Sequence, residues 1–235
     1  MSEVEMPVDG FSSFDAFFTR QLKQGARPID RDTHTIVSPS DGTVQGVGYL
    51  KPGATLTVKG STYRVEALLG DENQARKFEN GSYVLIYLSP RNYHRVHAPV
   101  DGPVVSLRYI GGTLFPVNEI GLRHISGLFA RNERLAIYQR SPRFGTVATV
   151  MVGALGVGRI TVSFDSSVVT NQNGVPGVRS YDKNATNLER GDELGVFHLG
   201  STVLLLLQSS LTTTLLKRVG DLVRVGEVVA RMEDA

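Results

Sequence analysis

Two histidines stand three residues apart in Ser89-Pro-Arg-Asn-Tyr-His-Arg-Val-His-Ala-Pro99. On a helical turn His94 and His97 would share a face and suit a metal; on an extended segment they would point to opposite sides. A metal site needs a third ligand, and the chain has neither a cysteine nor a His-Glu-x-x-His pattern to supply one. Acid–base use is the better functional reading, because free imidazole titrates near pH 6.5. The plainer reading is two partly buried histidines satisfied by backbone groups. A second feature is Gly195-Val-Phe-His-Leu-Gly-Ser-Thr-Val203, which opens an apolar run. Gly200 frees the backbone and leaves its carbonyl uncovered. A base that took the proton of Ser201 would let Oγ attack the preceding peptide bond, although an ordinary Gly-Ser turn has the same letters. The third feature is Asp41 in Ser38-Pro-Ser-Asp-Gly42. Before Gly, an Asp commonly braces a turn; beside a histidine it fixes one tautomer, as in a Ser-His-Asp triad. Asp41, His97 and Ser201 form one such candidate among the many triples a chain of this size offers.

Strands must carry these residues. Short runs rich in Val, Ile, Thr and Tyr, bounded by Gly, Pro and Asn, predict strands over 43–47, 55–58, 83–88, 104–110, 146–152, 159–164 and 202–207. The fold class is therefore mainly β (α+β), a barrel or sandwich with a few peripheral helices. Phe11, Phe14, Phe18 and Leu22 form an amphipathic stripe that predicts one helix, capped by Ser12 or Ser13. A weaker helical signal spans 64–77. The stretch 166–187 lacks a period and reads as one or two irregular strands with a long mobile loop.

An internal echo accompanies the strands. Ser38-Pro-Ser-Asp-Gly-Thr-Val44 returns as Ala98-Pro-Val-Asp-Gly-Pro-Val104. In each, Pro enters a turn, Asp-Gly makes it and a strand leaves. Gly191-Asp192 and Gly220-Asp221 make a second, looser pair. The pattern resembles a duplicated half-barrel, while Asp101 by itself reads as an ordinary hairpin turn.

Composition narrows the partners. The 235 residues carry 25 basic and 23 acidic side chains, a net charge of +2, which argues against a nucleic-acid tail or groove. Arg outnumbers Lys 19 to 6 among the basic residues, and Arg suits bidentate anion contacts. The absence of cysteine excludes a disulfide framework, a thiol nucleophile and an iron–sulfur cluster. No segment has the roughly 20 consecutive apolar residues of a membrane-spanning helix.

Taken together, the motifs resemble the phosphatidylserine decarboxylase family. The residues that carry the resemblance are Phe17-Phe-Thr-Arg-Gln-Leu-Lys-Gln-Gly-Ala-Arg-Pro-Ile29, Ser38-Pro-Ser-Asp-Gly42, Tyr93-His-Arg-Val-His-Ala-Pro99, Gly112-Thr-Leu-Phe-Pro-Val-Asn118, Asn132-Glu-Arg134, Val152-Gly-Ala-Leu-Gly-Val-Gly158 and Gly191-Asp-Glu-Leu-Gly-Val-Phe-His-Leu-Gly-Ser-Thr202. They follow the family's order from residue 17 to Gly226-Glu227, nearly the whole chain.

The resemblance implies a self-processing lyase. Asp41, His97 and Ser201 match the family's processing triad: Ser201 attacks the Gly200 carbonyl, the resulting ester is eliminated, and hydrolysis leaves a pyruvoyl group derived from Ser201. The expected organisation is an amphipathic segment 1–30 and a decarboxylase domain 31–235, cleaved into a large subunit 1–200 and a small subunit 201–235 that stay associated, with a homodimer left open. The pyruvoyl cofactor would form a Schiff base with phosphatidylserine and release phosphatidylethanolamine and carbon dioxide. His94 matches the position for substrate contact and proton delivery. No metal is expected. The location implied is cytoplasmic and peripheral on the cell membrane. Many relatives carry a hydrophobic anchor ahead of this region, which is either removed here or replaced by the Phe11–Leu22 stripe acting as an interfacial helix. The same stripe equally suits a helix packed on the barrel. Glu133 and Arg134 are expected to pair, and Arg91 and Arg95 to be available to lipid phosphate. Another serine-headed lipid, such as archaetidylserine, is the alternative substrate; a non-enzymatic β-barrel binding module is the alternative class.

Overall fold

The apolar run that follows Ser201 becomes the central strand of the molecule. In the computed structural model, which describes residues 2–156, 159–171, 177–181, 183–198, 201–208 and 213–233, Ser201–Leu207 is buried at every position and pairs on both edges. Its neighbours are Gly145–Gly153 and Ser82–Leu88. Outward on one side lie Arg134–Ser141, Gly102–Ile110 and Val178–Ser180; on the other lie Gly42–Tyr49 and Leu222–Val223. Asn187–Leu188 also joins Gly102–Ile110, giving nine strands, with every pair antiparallel. All seven strand expectations are met, and Arg134–Ser141 is an addition that the sequence reading missed. Among the described residues the two outermost strands do not pair with each other, so the sheet is open. The mainly β class stands in its sandwich form, and the closed barrel does not.

Directly paired residues share a face, so the register assigns two sides. Ser201, Val203 and Leu205 pair with Gly153, Met151 and Thr149 on one side. There a three-stranded sheet of Ile160–Val162, Glu193–Phe197 and Arg95–His97 packs on top; a Cβ at Gly195 would lie 3.2 Å from the sulfur of Met151. The other face holds Thr202, Leu204 and Leu206 with Val152, Val150 and Ala148. A hairpin, Thr55–Val58 with Ser61–Arg64, covers it, and the Tyr83 hydroxyl donates to the Thr57 carbonyl at 2.7 Å. The hairpin closes through Lys59 and Gly60, both at positive φ, the turn that matches strand twist.

The helices are short. The stripe from Phe11 forms only Phe14–Phe18, capped by Ser13, because Leu22 instead bridges to Val4. The 64–77 signal divides into Val65–Leu69 and Glu72–Arg76, split by Gly70 in the left-handed region and by Asp71, which caps the second helix through Gln74 N. Arg134 does not pair with Glu133. Its guanidinium donates to the carbonyls of Leu68, Ala67 and Asn132, and burial lowers its pKa to about 10. Glu133 instead accepts from Thr170 and Tyr109. Within 166–187, the short strands Val178–Ser180 and Asn187–Leu188 are present, and residues 172–176 and 182 lie outside the described residues.

The echo is a structural duplication. Val37 N donates to Pro99 O and His97 N to Pro39 O, a reciprocal pair with the same offset. Ser38 exchanges backbone bonds with Gly226 and Glu227, and Ala98 does the same with Gly191 and Asp192. The match is therefore Gly191 with Gly226, not Gly220. Both glycines have positive φ, +92° and +87°, and a Cβ on either would come within 2.7 Å of Ile29, which sits between the copies.

Candidate active site

Each half of the duplication places an aspartate before its departing strand. Asp41 is almost fully buried and accepts from the backbone N of Val225 at 2.9 Å. Arg27 grips both its oxygens, with Nε at 2.9 Å from Oδ1 and Nη2 at 2.5 Å from Oδ2. Those bonds raise the Arg27 pKa further above its usual value, so the pair is ionic. Arg27 and Arg224 also clasp the two carboxylate oxygens of Glu3, each at 3.1 Å.

His97 emerges from the strand Arg95–His97, whose backbone lies against Pro39, two residues from Asp41. Its Nδ1 lies 2.7 Å from the carbonyl of Gly191 and its Nε2 lies 3.1 Å from the hydroxyl of Tyr93. A carbonyl only accepts, so Nδ1 carries the proton and Nε2 accepts from Tyr93. The Tyr93 ring stacks on the imidazole at 5.6 Å between centroids. His94 follows a turn that the Asn92 side chain closes onto Ser89. It donates from Nδ1 to Asn92 O at 2.8 Å, and its ring lies 4.0 Å from that of the buried Phe18. The His94 carbonyl accepts from Phe197 N, tying it to the strand that leads towards Ser201.

Burial lowers the pKa of both imidazoles, that of His94 to about 4. The charge of Asp41 acts on both in the opposite direction, favouring the protonated ring. At neutral pH each ring is thus uncharged, with a basic Nε2. The Nε2 of His94 is buried without a partner, and so is the Oγ of Ser201. Both are among the buried side-chain atoms that lack a partner in the described residues, and each such atom carries an energetic cost. Ser201 opens the central strand opposite Leu88 and Gly153, on the face that carries the His97 sheet. A cavity of about 320 Å³ opens beside Asp41 and Tyr93, with Arg20, Arg27, Arg91 and Arg224 in its wall.

The model of the phosphatidylserine decarboxylase family matches residues 14–231. The chain belongs to the phosphatidylserine decarboxylase family. Membership makes it a carboxy-lyase. It is similar to the phosphatidylserine decarboxylase proenzyme of Brevibacillus brevis, 42% identical over 89% of this chain and 75% of the relative. Its likeness to the proenzyme of Myxococcus xanthus is 43%, over 91% of this chain and 75% of the relative. The proenzyme of a Shewanella species is 39% identical across the whole chain and 81% of its own length.

The four residues expected from the family motif, Asp41, His94, His97 and Ser201, occupy neighbouring elements. Gly200, the expected cleavage position, lies outside the described residues. Among the described residues no hydrogen bond joins Asp41 to His97, or either histidine to Ser201; Arg27, Gly191 and Tyr93 take those places. Arg95 is engaged by Glu193 at 2.5 Å and by the Thr19 carbonyl, leaving Arg91 as the exposed arginine of the two. Sequence reasoning missed Arg27, Phe18 and Tyr93 as site residues. All three lie inside the quoted motifs, and that membership was the only signal the sequence offered for them. Residues 1–30 supply part of the site: Glu3, Phe18, Arg20 and Arg27 all reach it.

Proposed function

We propose that the chain decarboxylates phosphatidylserine to phosphatidylethanolamine, using a pyruvoyl group that it makes from Ser201 by cleaving itself after Gly200. The observation that carries this reading is the partnerless, fully buried hydroxyl of Ser201 at the head of the central strand, on the face over which the His97 sheet packs. A residue destined for conversion needs a hydroxyl not already engaged and a water-poor surround, and Ser201 has both. When formed, the pyruvoyl group supplies an electron sink for the carbanion left by loss of carbon dioxide.

This chain's own groups do the rest. His97 Nε2 is the base for Ser201 once Tyr93 releases it, and the Gly191 carbonyl holds its Nδ1 proton in place. Asp41 acts on His97 through its buried negative charge, which stabilises the imidazolium formed on taking the serine proton. Arg27 holds Asp41 at that position through hydrogen bonds to both its oxygens. His94 presents a free Nε2 to the same space and delivers a proton to the substrate carbon, with Phe18 against its ring excluding water. The arginine-lined cavity receives the anionic head group of a lipid at the cell membrane, where the chain sits peripherally. No helix among the described residues is long and apolar enough to cross a membrane.

Cleavage would not separate the products. Ser201–Leu207 would remain clamped between two large-subunit strands, and Val225 would still donate to Asp41. Denaturing mass spectrometry of the purified chain tests the proposal. The expected result is two fragments, 1–200 and 201–235, the smaller with a blocked amino terminus, and a Ser201→Ala chain that stays whole. Loss of carbon dioxide from phosphatidylserine should follow cleavage. An intact wild-type chain that still decarboxylates would overturn the mechanism.

A further inference from the structure

The face of the central sheet turned away from Ser201 carries a polar cleft that the decarboxylase reading leaves unused. Pairing puts Tyr138 opposite Ser106 and Ala148, Arg140 opposite Thr146, and Arg108 opposite Val178. These side chains share one face. Ala148 pairs with Leu206, five residues along the central strand from Ser201 and on the opposite side of the sheet. That is about 17 Å along the strand at the usual rise. The turn and helix from Asp71 to Lys77 roof the cleft, leaving a cavity of about 280 Å³. This is several times the ~30 Å³ share of one water molecule.

The lining is unbalanced in charge. Asp71 pairs with Arg108 at 2.5 Å. Lys77 and Arg140 also line the cleft, and among the described residues neither side chain has an ion-pair or hydrogen-bond partner. Three cations against one carboxylate leave a surplus of two positive charges. At the floor Tyr138 is 2% exposed, and its hydroxyl has no partner. That hydroxyl feels the charges of both Arg108 and Asp71. A buried O–H without an acceptor is destabilising, and Ser106 and Thr146 add short hydroxyl side chains to the same wall.

We infer that this cleft is a binding site for a phosphate-class dianion, with Tyr138 donating to one oxygen and Arg140, Lys77 and Arg108 balancing the charge. Two charges of surplus match a dianion. A hydroxyl donor at the base of a cationic cleft suits a tetrahedral oxyanion, whose several oxygens accept from different directions. The same chemistry is offered by free phosphate and by the phosphomonoester head group of phosphatidic acid.

The test is calorimetric titration of inorganic phosphate into the full chain at fixed ionic strength. A saturable component that depends on Lys77 and Arg140 is expected, distinct from any binding in the cavity by Asp41. The double variant Lys77→Ala/Arg140→Ala should weaken it at least about tenfold. Tyr138→Phe, which keeps the ring and its packing, should weaken it about three- to tenfold with a melting temperature no lower than that of the wild type. Arg91→Ala, in the cavity by Asp41, should leave it unchanged. Flotation with phosphatidylcholine vesicles, with and without phosphatidic acid, separates the two sources. Phosphatidic-acid-dependent flotation lost in the double variant assigns the head group; phosphate binding without such flotation assigns a soluble anion. Absence of saturable binding, binding that survives the double variant, or binding abolished by Arg91→Ala alone would each overturn the assignment.

Discussion

The two copies of the Pro-x-Asp-Gly segment share a backbone and differ in their side chains. Asp41 and Asp101 each accept a backbone N–H, from Val225 and Arg190, and each is gripped by an arginine, Arg27 or Arg190. At the first copy both ion-pair partners are buried, with side-chain exposures of 12% and 8%. At the second, Arg190 is buried while 55% of the Asp101 side chain is exposed. The larger difference is one residue. Where the second copy has His97, the first has the buried Val37 in the reciprocal hydrogen bond. Where His97 donates to the Gly191 carbonyl, the backbone of Asp30 donates to that of Gly226. A shared scaffold thus sets a titratable ring from one copy near the buried carboxylate of the other, and the reverse combination has no ring. The duplicated backbone supplies the geometry, and the side chains that differ between the copies give one corner a buried carboxylate and a titratable ring.

The sharpest way to break this comparison is to treat the copies alike. His97→Ala and Asp41→Asn should each slow self-cleavage by about 10³-fold or more, by analogy with removing a triad orienter. Val37→Ala and Asp101→Asn should leave it near the wild-type rate, all followed by denaturing gel over time. Equal loss from Asp101→Asn and Asp41→Asn would show that the copies do not differ in role.

Stability separates them next. Val37→Ala should cost about 2 kcal/mol in urea unfolding through the cavity it leaves. Asp101→Asn should cost about 1–2 kcal/mol, because the buried Arg190 keeps its carbonyl and Thr35 acceptors.

Acid offers a third probe. His94 titrates at about 4 in the folded chain against 6.5 for a free ring, so between these values the unfolded chain binds more protons. Stability is complete above pH 6.5 and falls as pH drops towards 4, by on the order of 3 kcal/mol for His94 alone. His97 shifts in the same direction and adds to the loss. A melting temperature that declines less between pH 7 and 5 in His94→Phe than in wild type is the expected outcome; parallel decline in both would remove His94 from the account.

The smallest effect belongs to Tyr93→Phe. Freeing Nε2 of His97 should speed self-cleavage a few-fold without changing the fold. A tenfold loss would instead make the Tyr93 hydroxyl a necessary part of the proton path.

Much of the frame was legible in the chain. Seven runs of β-branched residues became strands because alternation and turn residues are local properties. The echo at 38–44 and 98–104 correctly announced a duplication. Its partner Gly226 escaped notice, since its match with Gly191 rests on backbone bonds to Ser38 and Ala98 instead of letters. The helix from Phe11 came out short because Val4, remote in spacing, draws Leu22 into a bridge. Arg134 found carbonyls in place of Glu133 because the end of a helix 65 residues earlier lies beneath it.

What the sequence determined by itself was composition and order: no thiol, a Gly-Ser junction before an apolar strand, two histidines and an Asp-Gly aspartate in motifs that identify a family. Tertiary structure decided who touches whom. It gave Asp41 to Arg27, His97 to Gly191 and Tyr93, and left His94 and Ser201 with unused polar atoms. The physical reason is that hydrogen bonds are competed for in three dimensions. Spacing along the chain says which groups exist, while packing of one sheet on another settles which donor reaches which acceptor first.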